Sequence, residues 1–367
     1  MKITATKENL LFAVSAVQKA VSTKQTMPIL SCLRIEAKKD TVYFSATDLE
    51  IGIECFIPAE IIKEGISVVP ARYFSEIVRK LPDVPIILQQ AADNELLIIY
   101  NESQLSLKTL TTNDFPKITE VIGEHEIQIQ SLVLKQMIKQ SVFAAGTDEG
   151  RPLFTGLLCE GFEDKLRLVA TDTHRLALRQ GEIQNRIETE LTIIIPGKML
   201  NELARLMYED DEVCYISLIK NLASFKFSNI RIICRLLEGQ FPNYHQVIPE
   251  KYTTKIITNT KIIKEAIERI ALFSAANDNS NTINIKIENN SMLISSRSEL
   301  GQGYEKINIE TEGEDIDISF NARYLLDVFK IIESELSTME FSGPLSPCIV
   351  RPSESKSFLY LLLPVRT

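Results

Sequence analysis

The sequence predicts an α+β protein that contains three copies of one domain, each with two helices and two small antiparallel sheets. Two observations lead to this prediction: short motifs recur at a step of about 125 residues, and each recurrence joins a β-rich run to an apolar-periodic helix. The step is far longer than the roughly 20–50 residues of a solenoid repeat, so each copy is large enough to form its own core.

The recurring motifs keep similar positions in each copy. They are a segment at 46–49 that returns at 170–173 and, more faintly, at 296–299; a strand-to-helix junction at 69–73, 195–199 and 320–324; and an apolar–proline pair at Phe115-Pro116, Phe241-Pro242 and Leu363-Pro364. Together with the composition around 124 and 250, they predict domains at 1–124, 125–250 and 251–367.

The first copy illustrates the predicted elements. Apolar residues at helical spacing predict a helix over 7–20, and a second helix over 71–80 is stopped by Pro82. Residues 68–70 lead into that second helix as extended chain. Strands are predicted at 1–4, 33–37, 41–47, 52–58, 86–90, 95–100 and 104–109. Strands with one apolar face need cover on that face, and two helices per copy provide it.

The composition limits the possible functions. Hydrophobic residues make up 45% and charged residues 24% of the 367 positions, as in an ordinary soluble globular protein. The six cysteines are scattered without a C-x-x-C pair, which argues against a disulfide framework or a zinc site and favours a reducing cytoplasm. Because no G-x-x-x-x-G-K-[ST] loop is present, the sequence predicts no ATP chemistry, and nothing in it indicates another cofactor.

The apolar run at 10–17 resembles the core of a signal peptide. Glu8 precedes the run and Lys19 follows it, and the same pattern recurs inside the chain at 127–143 and 257–273. The run is therefore predicted to be the first helix of a domain. No apolar run approaches the roughly 20 residues that span a bilayer, so no association with a membrane is expected.

Charge is distributed unevenly along the chain. Fourteen basic and seven acidic residues lie in the six predicted helices, at 7–20, 71–80, 131–144, 197–208, 260–273 and 322–333. The helices therefore carry a net charge of +7. Because the whole chain has a net charge of −9, the remainder carries −16. A surface formed by the helices would attract phosphate groups, although basic residues also cover ordinary solvated helix faces. No base-reading motif accompanies these charges, so any contact with nucleic acid would be independent of sequence.

Asp172 and His174 raise the alternative of an enzyme. The two residues are two apart on a predicted strand and would face the same side, as two metal ligands or an acid–base pair would. However, the chain has only three histidines, and no positioned nucleophile or second ligand cluster accompanies the pair. The sequence therefore favours a protein without catalytic residues or a metal over a metal-dependent hydrolase.

Over essentially its whole length, the chain resembles the bacterial β sliding clamps, the processivity subunits of DNA polymerase III. The resemblance lies in the order and spacing of segments at 27–30, 46–50, 69–72, 170–177, 238–244, 320–328 and 363–366. It implies a head-to-tail homodimeric ring of six domains, with helices around the hole and sheets at the rim. Such a ring would encircle duplex DNA, slide along it, and keep a tethered polymerase at a high effective concentration near the primer end.

The resemblance also implies a set of partners. These are duplex DNA, the catalytic subunit of the replicative DNA polymerase, the clamp loader complex, and other proteins with a clamp-binding motif, such as repair polymerases and mismatch repair factors. The expected location is the cytoplasm, on the nucleoid. An alternative is a specialised duplicate clamp, which resists an inhibitor or serves repair and would combine an intact ring seam with an altered peptide pocket.

By resemblance, the pocket for partner peptides lies between the second and third domains. Apolar side chains such as Leu176 would accept a leucine or phenylalanine of the peptide, while backbone carbonyls and Arg366 would hold a glutamine. The matching positions are Arg151, Phe154, Thr171, Thr173, His174, Arg175, Leu176, Pro242, Val247, Asn321, Tyr324, Leu361, Leu363, Pro364, Val365 and Arg366. Three positions depart from the commonest family pattern and bear on peptide specificity: Pro152, Gln246 and Thr367.

Two further sets of residues follow from the resemblance. The expected contacts to DNA phosphates are Lys24, on a loop at the ring face, and the helix residues Arg72, Arg79, Lys80, Lys135, Lys139, Lys198 and Arg205. The residues expected at the ring seam are Leu105 and Leu107, from an edge strand of the first domain, and Leu272 and Phe273, from the third. Ordinary core packing is the alternative for these last four residues.

Overall fold

The structure is a computed structural model that describes residues 1–22, 27–91, 94–119, 125–207, 212–274, 281–299 and 301–366. The α-helices in these residues are α1 (Lys7–Val17), α2 (Ala71–Lys80), α3 (Ser131–Ser141), α4 (Gly197–Leu206), α5 (Thr260–Ser274) and α6 (Ala322–Ile331). Each matches a predicted helix, but 3₁₀ turns replace the predicted last turns of α1 and α3, at Gln18–Ala20 and Val142–Ala144. None of the helices in the described residues has the length and apolar character needed to cross a membrane.

Side-chain caps help to determine where two of the helices begin. Thr6 accepts a hydrogen bond from the backbone N–H of Asn9 at 3.2 Å, at the start of α1. At the start of α6, the side-chain oxygen of Asn321 accepts from the N–H groups of Arg323 and Tyr324 at 3.0 and 3.2 Å. Both caps satisfy N–H groups that the first turn of a helix leaves without a backbone partner.

Strands make up most of the remaining described chain. The first twelve are β1 (Lys2–Ala5), β2 (Cys32–Lys38), β3 (Thr41–Thr47), β4 (Ile51–Pro58), β5 (Glu60–Lys63), β6 (Gly65–Pro70), β7 (Ile86–Gln90), β8 (Glu95–Tyr100), β9 (Ser103–Lys108), β10 (His125–Gln130), β11 (Gly156–Thr171) and β12 (Arg175–Pro196). The others are β13 (Val213–Ile219), β14 (Leu222–Phe227), β15 (Ile230–Arg235), β16 (Thr254–Asn259), β17 (Thr282–Glu288), β18 (Ser291–Ser298), β19 (Gly301–Asn308), β20 (Glu310–Gly313), β21 (Ile316–Asn321), β22 (Leu336–Phe341), β23 (Cys348–Pro352) and β24 (Phe358–Leu362).

The chain divides into two compact units, the first of which consists of Met1–Leu132 and Glu202–Leu236. This unit contains a five-stranded sheet, in the order β5-β1-β7-β8-β9, and an eight-stranded sheet, in the order β10-β13-β14-β15-β4-β3-β2-β6. In the larger sheet, β15 pairs antiparallel with β4, and Ile232 lies opposite Ile53. Strands of the first and second repeats therefore form one continuous sheet.

The second compact unit consists of Val133–Asn201 and Leu237–Thr367. It contains a seven-stranded sheet, in the order β11-β12-β24-β23-β22-β16-β20, and a four-stranded sheet, in the order β19-β18-β17-β21. In the larger sheet, β12 pairs antiparallel with β24, which places Leu176 opposite Leu361. Strands of the second and third repeats are thus joined in the same way as those of the first two.

These joined sheets extend the sequence prediction, which assigned small separate sheets to each repeat. The junctions form at β4 and β12, the strands that follow the recurring segments at 46–49 and 170–173. One edge of each strand pairs with a strand of the next repeat, β15 and β24 respectively. The prediction also missed β5, a four-residue strand whose side chains are exposed or half-exposed. Such a short strand without an apolar face carries no periodic pattern.

Candidate protein-interaction site

The 171–175 turn joins β11 to β12 and is fixed by its own polar side chains. The hydroxyl of Thr171 donates to the carbonyl of Arg175 at 2.7 Å and accepts from the N–H of Thr173 at 3.2 Å. One carboxylate oxygen of Asp172 accepts from the N–H groups of His174 and Arg175 at 3.0 and 3.1 Å. These bonds hold Thr173 at a φ of 79°, in the left-handed region that few residues other than glycine adopt. The exposed side chains of Thr173 and His174 are therefore fixed at the tip of the hairpin.

Arg175 connects this turn to α6. Its Nε atom donates to Asp172 at 2.9 Å, and its Nη1 atom donates to Asp327 at 2.5 Å. The guanidinium carbon lies 4.3 Å from the ring centroid of Tyr324, within cation–π distance. Only 9% of the surface of Arg175 is exposed, so these interactions are largely shielded from water. We call Asp172, Arg175, Tyr324 and Asp327 together the arginine latch.

Arg175 keeps its positive charge within the latch. Burial lowers the pKa of Arg175, but Tyr360, Asp327 and Asp172 together outweigh burial and hold that pKa above its ordinary value. Burial also raises the pKa of Tyr360, whose neutral hydroxyl donates to the carbonyl of Tyr324 at 2.8 Å. Removal of Arg175 would consequently leave two carboxylates without their cation in a shielded position.

A cleft of about 290 Å³ opens beside the latch. The predicted pocket residues that line it are Arg151, Phe154, Thr173, His174, Arg175 and Tyr324. Its other lining residues are Ala145, Gly146, Thr147, Asp148, Asp172 and Arg323. The ring of His174 stacks over that of Tyr324, with centroids 6.3 Å apart. The cleft therefore combines aromatic surface with charged groups of both signs, as a site for a short peptide requires.

The predicted apolar anchors differ in exposure. Leu176 and Leu361, which pair across β12 and β24, are each 2% exposed and belong to an apolar cluster that includes Tyr244. In contrast, Val247 is 49% exposed and Leu363 is 37% exposed. Leu176 and Leu361 thus contribute to the core in this conformation, whereas Val247 and Leu363 offer apolar surface to a ligand.

The residues after β24 run past the 171–175 turn. The N–H of Leu363 donates to the carbonyl of His174 at 2.9 Å, and the N–H of Val365 donates to the carbonyl of Ser319 at 2.8 Å. Backbone bonds therefore fix Leu363 directly beside the turn and bring Val365 alongside β21. Leu363 is therefore an exposed apolar residue held next to the latch by a backbone hydrogen bond.

The remaining predicted pocket residues have varied surroundings. Thr171 and Asn321 use their side-chain oxygens in the turn and in the cap of α6. Pro242 and Arg366 are exposed, and Pro364 is half-buried. Two of the three positions that depart from the family pattern, Pro152 and Gln246, are exposed. The third, Thr367, lies outside the described residues.

The predicted DNA-contact residues lie mostly at the surface. Those exposed are Arg72, Arg79, Lys80, Lys139, Lys198 and Arg205, whereas Lys135 is half-buried and Lys24 lies outside the described residues. Arg72 pairs with Glu76 at 3.3 Å, and Arg205 pairs with Glu202 at 2.7 Å. Neighbouring carboxylates thus partly neutralise two of the exposed cations, which weakens their attraction for phosphate.

The predicted seam residues lie on or beside sheet edges. Leu105 and Leu107 belong to β9, the last strand of the five-stranded sheet, where Leu105 is exposed and Leu107 half-buried. Leu272 is 75% exposed on α5. Phe273 packs over Gly303 of the edge strand β19, where an added Cβ would come within 2.6 Å of the ring. Core packing therefore does not account for Leu105 and Leu272.

The geometry around Asp172 does not match a catalytic or metal site. One oxygen of its carboxylate accepts two backbone N–H groups of the turn, and the other accepts from Arg175. Both oxygens are therefore engaged in holding the hairpin. Within the described part of the chain, no group of three or more His, Cys, Asp or Glu side chains could hold a metal ion.

Sequence reasoning missed Asp327 as a partner of Arg175. The two residues are 152 positions apart, and no local pattern connects them. The spacing of Tyr324 and Asp327 did carry a signal, because residues three apart lie on one face of a helix. The burial of Arg175 among these residues could not be read from that spacing alone.

Comparison with known proteins gives one consistent result. Models of the N-terminal, central and C-terminal domains of the DNA polymerase III beta subunit match residues 1–119, 128–243 and 245–366. The beta sliding clamp of Bacillus subtilis (strain 168) is 35% identical over 378 residues, which cover 100% of both chains. That of Staphylococcus epidermidis (strain RP62A) is 34% identical over 377 residues, again with 100% of both chains covered.

Solved structures agree with these sequence matches. The sliding clamp from Bacillus subtilis superposes with a TM-score of 0.96 at 35% identity, covering 100% of this chain and 99% of that one. A sliding clamp from Pseudomonas aeruginosa bound to griselimycin superposes with a TM-score of 0.95 at 29% identity, covering 100% of both chains. The chain therefore belongs to the DNA polymerase III beta subunit family, the bacterial β sliding clamps, which are non-catalytic processivity subunits of DNA replication.

Proposed function

We propose that the arginine latch and the cleft beside it form the site where this clamp binds peptide motifs of its partners. The observation that carries the proposal is the fixed 171–175 turn, whose exposed tip borders a cleft of about 290 Å³. Because the latch orders the turn before a ligand arrives, the turn itself loses less conformational entropy when a peptide binds. The related clamp from Pseudomonas aeruginosa binds griselimycin, which supports a ligand site in this family.

The occupant is a short segment with one glutamine and apolar leucine or phenylalanine side chains. Leu363 offers apolar surface beside the turn, and Val247 offers a second exposed apolar side chain. Arg366 and backbone carbonyls hold the glutamine. The partners are the catalytic subunit of the replicative polymerase, the clamp loader complex, repair polymerases and mismatch repair factors. Because they share one site, these proteins compete for it.

A second copy of the chain closes the clamp into a head-to-tail ring of six domains. The edge strands β9 and β19 each present one side without a strand partner among the described residues, and such edges favour pairing with another chain. The exposed Leu105 and Leu272 supply apolar surface at these ends. A contact between unlike ends of two copies closes when the rotation between them brings the free ends together.

Duplex DNA passes through this ring without sequence-specific contacts. The exposed helix cations, among them Lys80 and Lys139, attract phosphate groups in any sequence. Pairing of Arg72 and Arg205 with glutamates keeps this attraction weak, which suits a protein that must slide. Processivity comes from effective concentration, because a tethered polymerase that leaves the primer end rebinds it before it diffuses away.

The proposed domains are 1–124, 125–250 and 251–367. The matches of the three family models at 1–119, 128–243 and 245–366 support this division. We place the protein in the cytoplasm, on the nucleoid, where its DNA and its partners are.

Fluorescence anisotropy with a labelled Gln-Leu-Ser-Leu-Phe peptide tests the binding site. We expect saturable binding at about micromolar affinity, near −8 kcal/mol. The Val247→Ala, Leu363→Ala double variant should bind at least tenfold more weakly, because both side chains are exposed and their loss leaves the core intact. Ile262→Ala, which removes an exposed apolar side chain from α5, is the matched control and should bind as the parent does.

Two results would contradict the proposal. One is a folded parent protein that shows no saturable binding of the peptide. The other is equal affinity for the parent and the double variant, because the exposed apolar residues would then play no part in binding.

A further inference from the structure

The 3₁₀ turn Tyr244–Val247 is anchored by its first residue. Tyr244 is 4% exposed, and its ring packs in the apolar cluster that contains Leu176 and Leu361. The residue before the turn, Asn243, supplies no side-chain cap bond. Three residues after its anchor, Val247 is half-exposed. The position of Val247 therefore depends on how firmly Tyr244 is held.

The hydroxyl of Tyr244 lies between two charged residues of β11. It donates to a carboxylate oxygen of Glu160 at 2.6 Å and accepts from Nη1 of Arg167 at 3.0 Å. Arg167 also contacts the same oxygen of Glu160 at 3.3 Å, and its Nη2 atom donates to Gln180 of β12 at 3.2 Å. The hydroxyl thus bonds to a small polar network that is itself held by the sheet.

β11 contacts both parts of the proposed peptide site, the Tyr244–Val247 turn and the 171–175 turn. β11 carries Glu160 and Arg167 in its middle and ends at Thr171, where the 171–175 turn begins. The network consequently ties the Tyr244–Val247 turn to the strand that also carries the latch. The apolar cluster, which contains Tyr244 together with Leu158 and Val169 of β11, also holds the turn against this strand.

We propose that Glu160 and Arg167, acting through the hydroxyl of Tyr244, fix the Tyr244–Val247 turn and so set the position of Val247 for peptide binding. Glu160, Arg167 and Tyr244 are positioning residues, since none of them is assigned a contact with the peptide. The inference rests on the proposed function, because it assumes that Val247 touches the bound peptide.

The protonation of Tyr244 agrees with this role. Burial, together with its hydrogen bond to Glu160, raises the pKa of Tyr244 to about 12. The phenol therefore keeps its proton at neutral pH and can donate it to the carboxylate. Replacement by phenylalanine removes the hydroxyl and leaves the packed ring in place.

A double-mutant cycle in the full-length protein tests the inference. Peptide affinity is measured by anisotropy for the parent, Tyr244→Phe, Val247→Ala and the double variant, with thermal unfolding to confirm that each is folded. We expect Tyr244→Phe alone to weaken binding about fivefold, the equivalent of one ordinary hydrogen bond. In the Val247→Ala background, the same change should alter the affinity by less than about twofold, because the two residues act as a unit.

Two further variants separate positioning from general stability. Ser337→Ala removes a buried hydroxyl that bonds to Thr260 at 2.6 Å in the same unit, and it should leave the peptide affinity unchanged. Glu160→Gln keeps an acceptor oxygen and should bind more tightly than Glu160→Ala. If Glu160 and Tyr244 acted only by stabilising the fold, peptide affinity would fall together with thermal stability in all these variants.

The outcomes are distinguishable. A folded parent that fails to bind the peptide overturns the proposed function and this inference with it. A parent that binds, with Tyr244→Phe of equal affinity, overturns the inference alone. Additive effects in the cycle also overturn it, because Tyr244 would then act through something other than Val247.

Discussion

Two turns of this molecule, at 47–51 in the first repeat and at 171–175 in the second, have the same internal hydrogen bonds. In the first turn, the Thr47 hydroxyl donates to the carbonyl of Ile51 at 2.9 Å and accepts from the N–H of Leu49 at 3.0 Å. Asp48 accepts from the N–H groups of Glu50 and Ile51 at 3.1 and 2.8 Å. The φ of Leu49 is 77°, against 79° for Thr173. The threonine–aspartate pair therefore encodes the turn in both places.

The strands that follow the two turns also meet the next repeat in the same manner. Ile51 lies opposite Cys234 in the eight-stranded sheet, as Arg175 lies opposite Leu362 in the seven-stranded sheet. The backbone of Glu50 accepts from Arg235 at 3.1 Å, as that of His174 accepts from Leu363 at 2.9 Å. The two junctions are thus equivalent at the level of the backbone.

The difference is the side chain at the last position of the turn. Ile51 is a buried apolar residue, whereas Arg175 forms ion pairs with Asp172 and Asp327 and stacks on Tyr324. Arg175 thus ties the second turn to α6 by charge, whereas the apolar Ile51 cannot form an ion pair at the same position of the first turn. The repeated residues thus specify the shared turn, and the residue that departs from the repeat adds a charged tie to α6 beside the cleft.

The largest expected effect comes from breaking the latch. Arg175→Ala should lower the free energy of unfolding by about 3–5 kcal/mol, because Asp172 and Asp327 lose their cation in a shielded position. Urea unfolding of the full chain, followed by circular dichroism, measures the change. Arg175→Met combined with Asp327→Leu should recover part of the loss, and a loss below about 1 kcal/mol for Arg175→Ala would show that the latch does not stabilise the protein.

A smaller difference should separate the two aspartates. Asp48→Ala should cost about 1–2 kcal/mol, because two N–H groups of the first turn lose their acceptor. Asp172→Ala loses the same bonds and one ion pair of Arg175, so it should cost about 1–3 kcal/mol more. Parallel urea titrations measure both values. Equal costs would contradict the expected difference between the two aspartates.

The two threonines should show the smallest difference. Thr47→Val and Thr171→Val each remove one hydroxyl that bonds within its turn, at a cost of about 1 kcal/mol. Because the turns share these bonds, the two costs should agree within about 0.5 kcal/mol when measured by thermal unfolding. A clearly larger cost at one site would contradict the equivalence of the two backbones.

Much of the fold could be predicted from the sequence, because its information is local and repeated. The helices follow from apolar spacing and from residues such as Thr6, Asn321 and Pro82. The segment that recurs at 46–49 and 170–173 revealed the repeat, but the prediction that Asp172 and His174 lie on a strand was wrong, because both lie in the turn between β11 and β12. The pairing of β4 with β15 could not be predicted. It brings Glu54 to Arg231, which lies 177 positions later in the chain, and no local pattern specifies the register of strands so far apart.

The candidate site was predicted only in part, for a related reason. Sequence resemblance brought together residues such as Phe154, His174 and Tyr324, which do line one cleft. It did not reveal that Leu176 is buried in the core, because burial depends on the strand pairing with Leu361. Nor did it reveal that Arg175 binds a carboxylate of α6, which only the folded chain brings near.

We propose that the second turn, positioned by its latch, is the peptide site and that the first turn is not. Peptide anisotropy with Asp327→Asn and Asp48→Ala distinguishes the two turns, because Asp327 belongs to the latch without lining the cleft and Asp48 belongs to the equivalent turn of the first repeat. We predict that Asp327→Asn weakens binding about tenfold, while Asp48→Ala binds as the parent does. Unchanged affinity for Asp327→Asn, or a matching loss for Asp48→Ala, would contradict it.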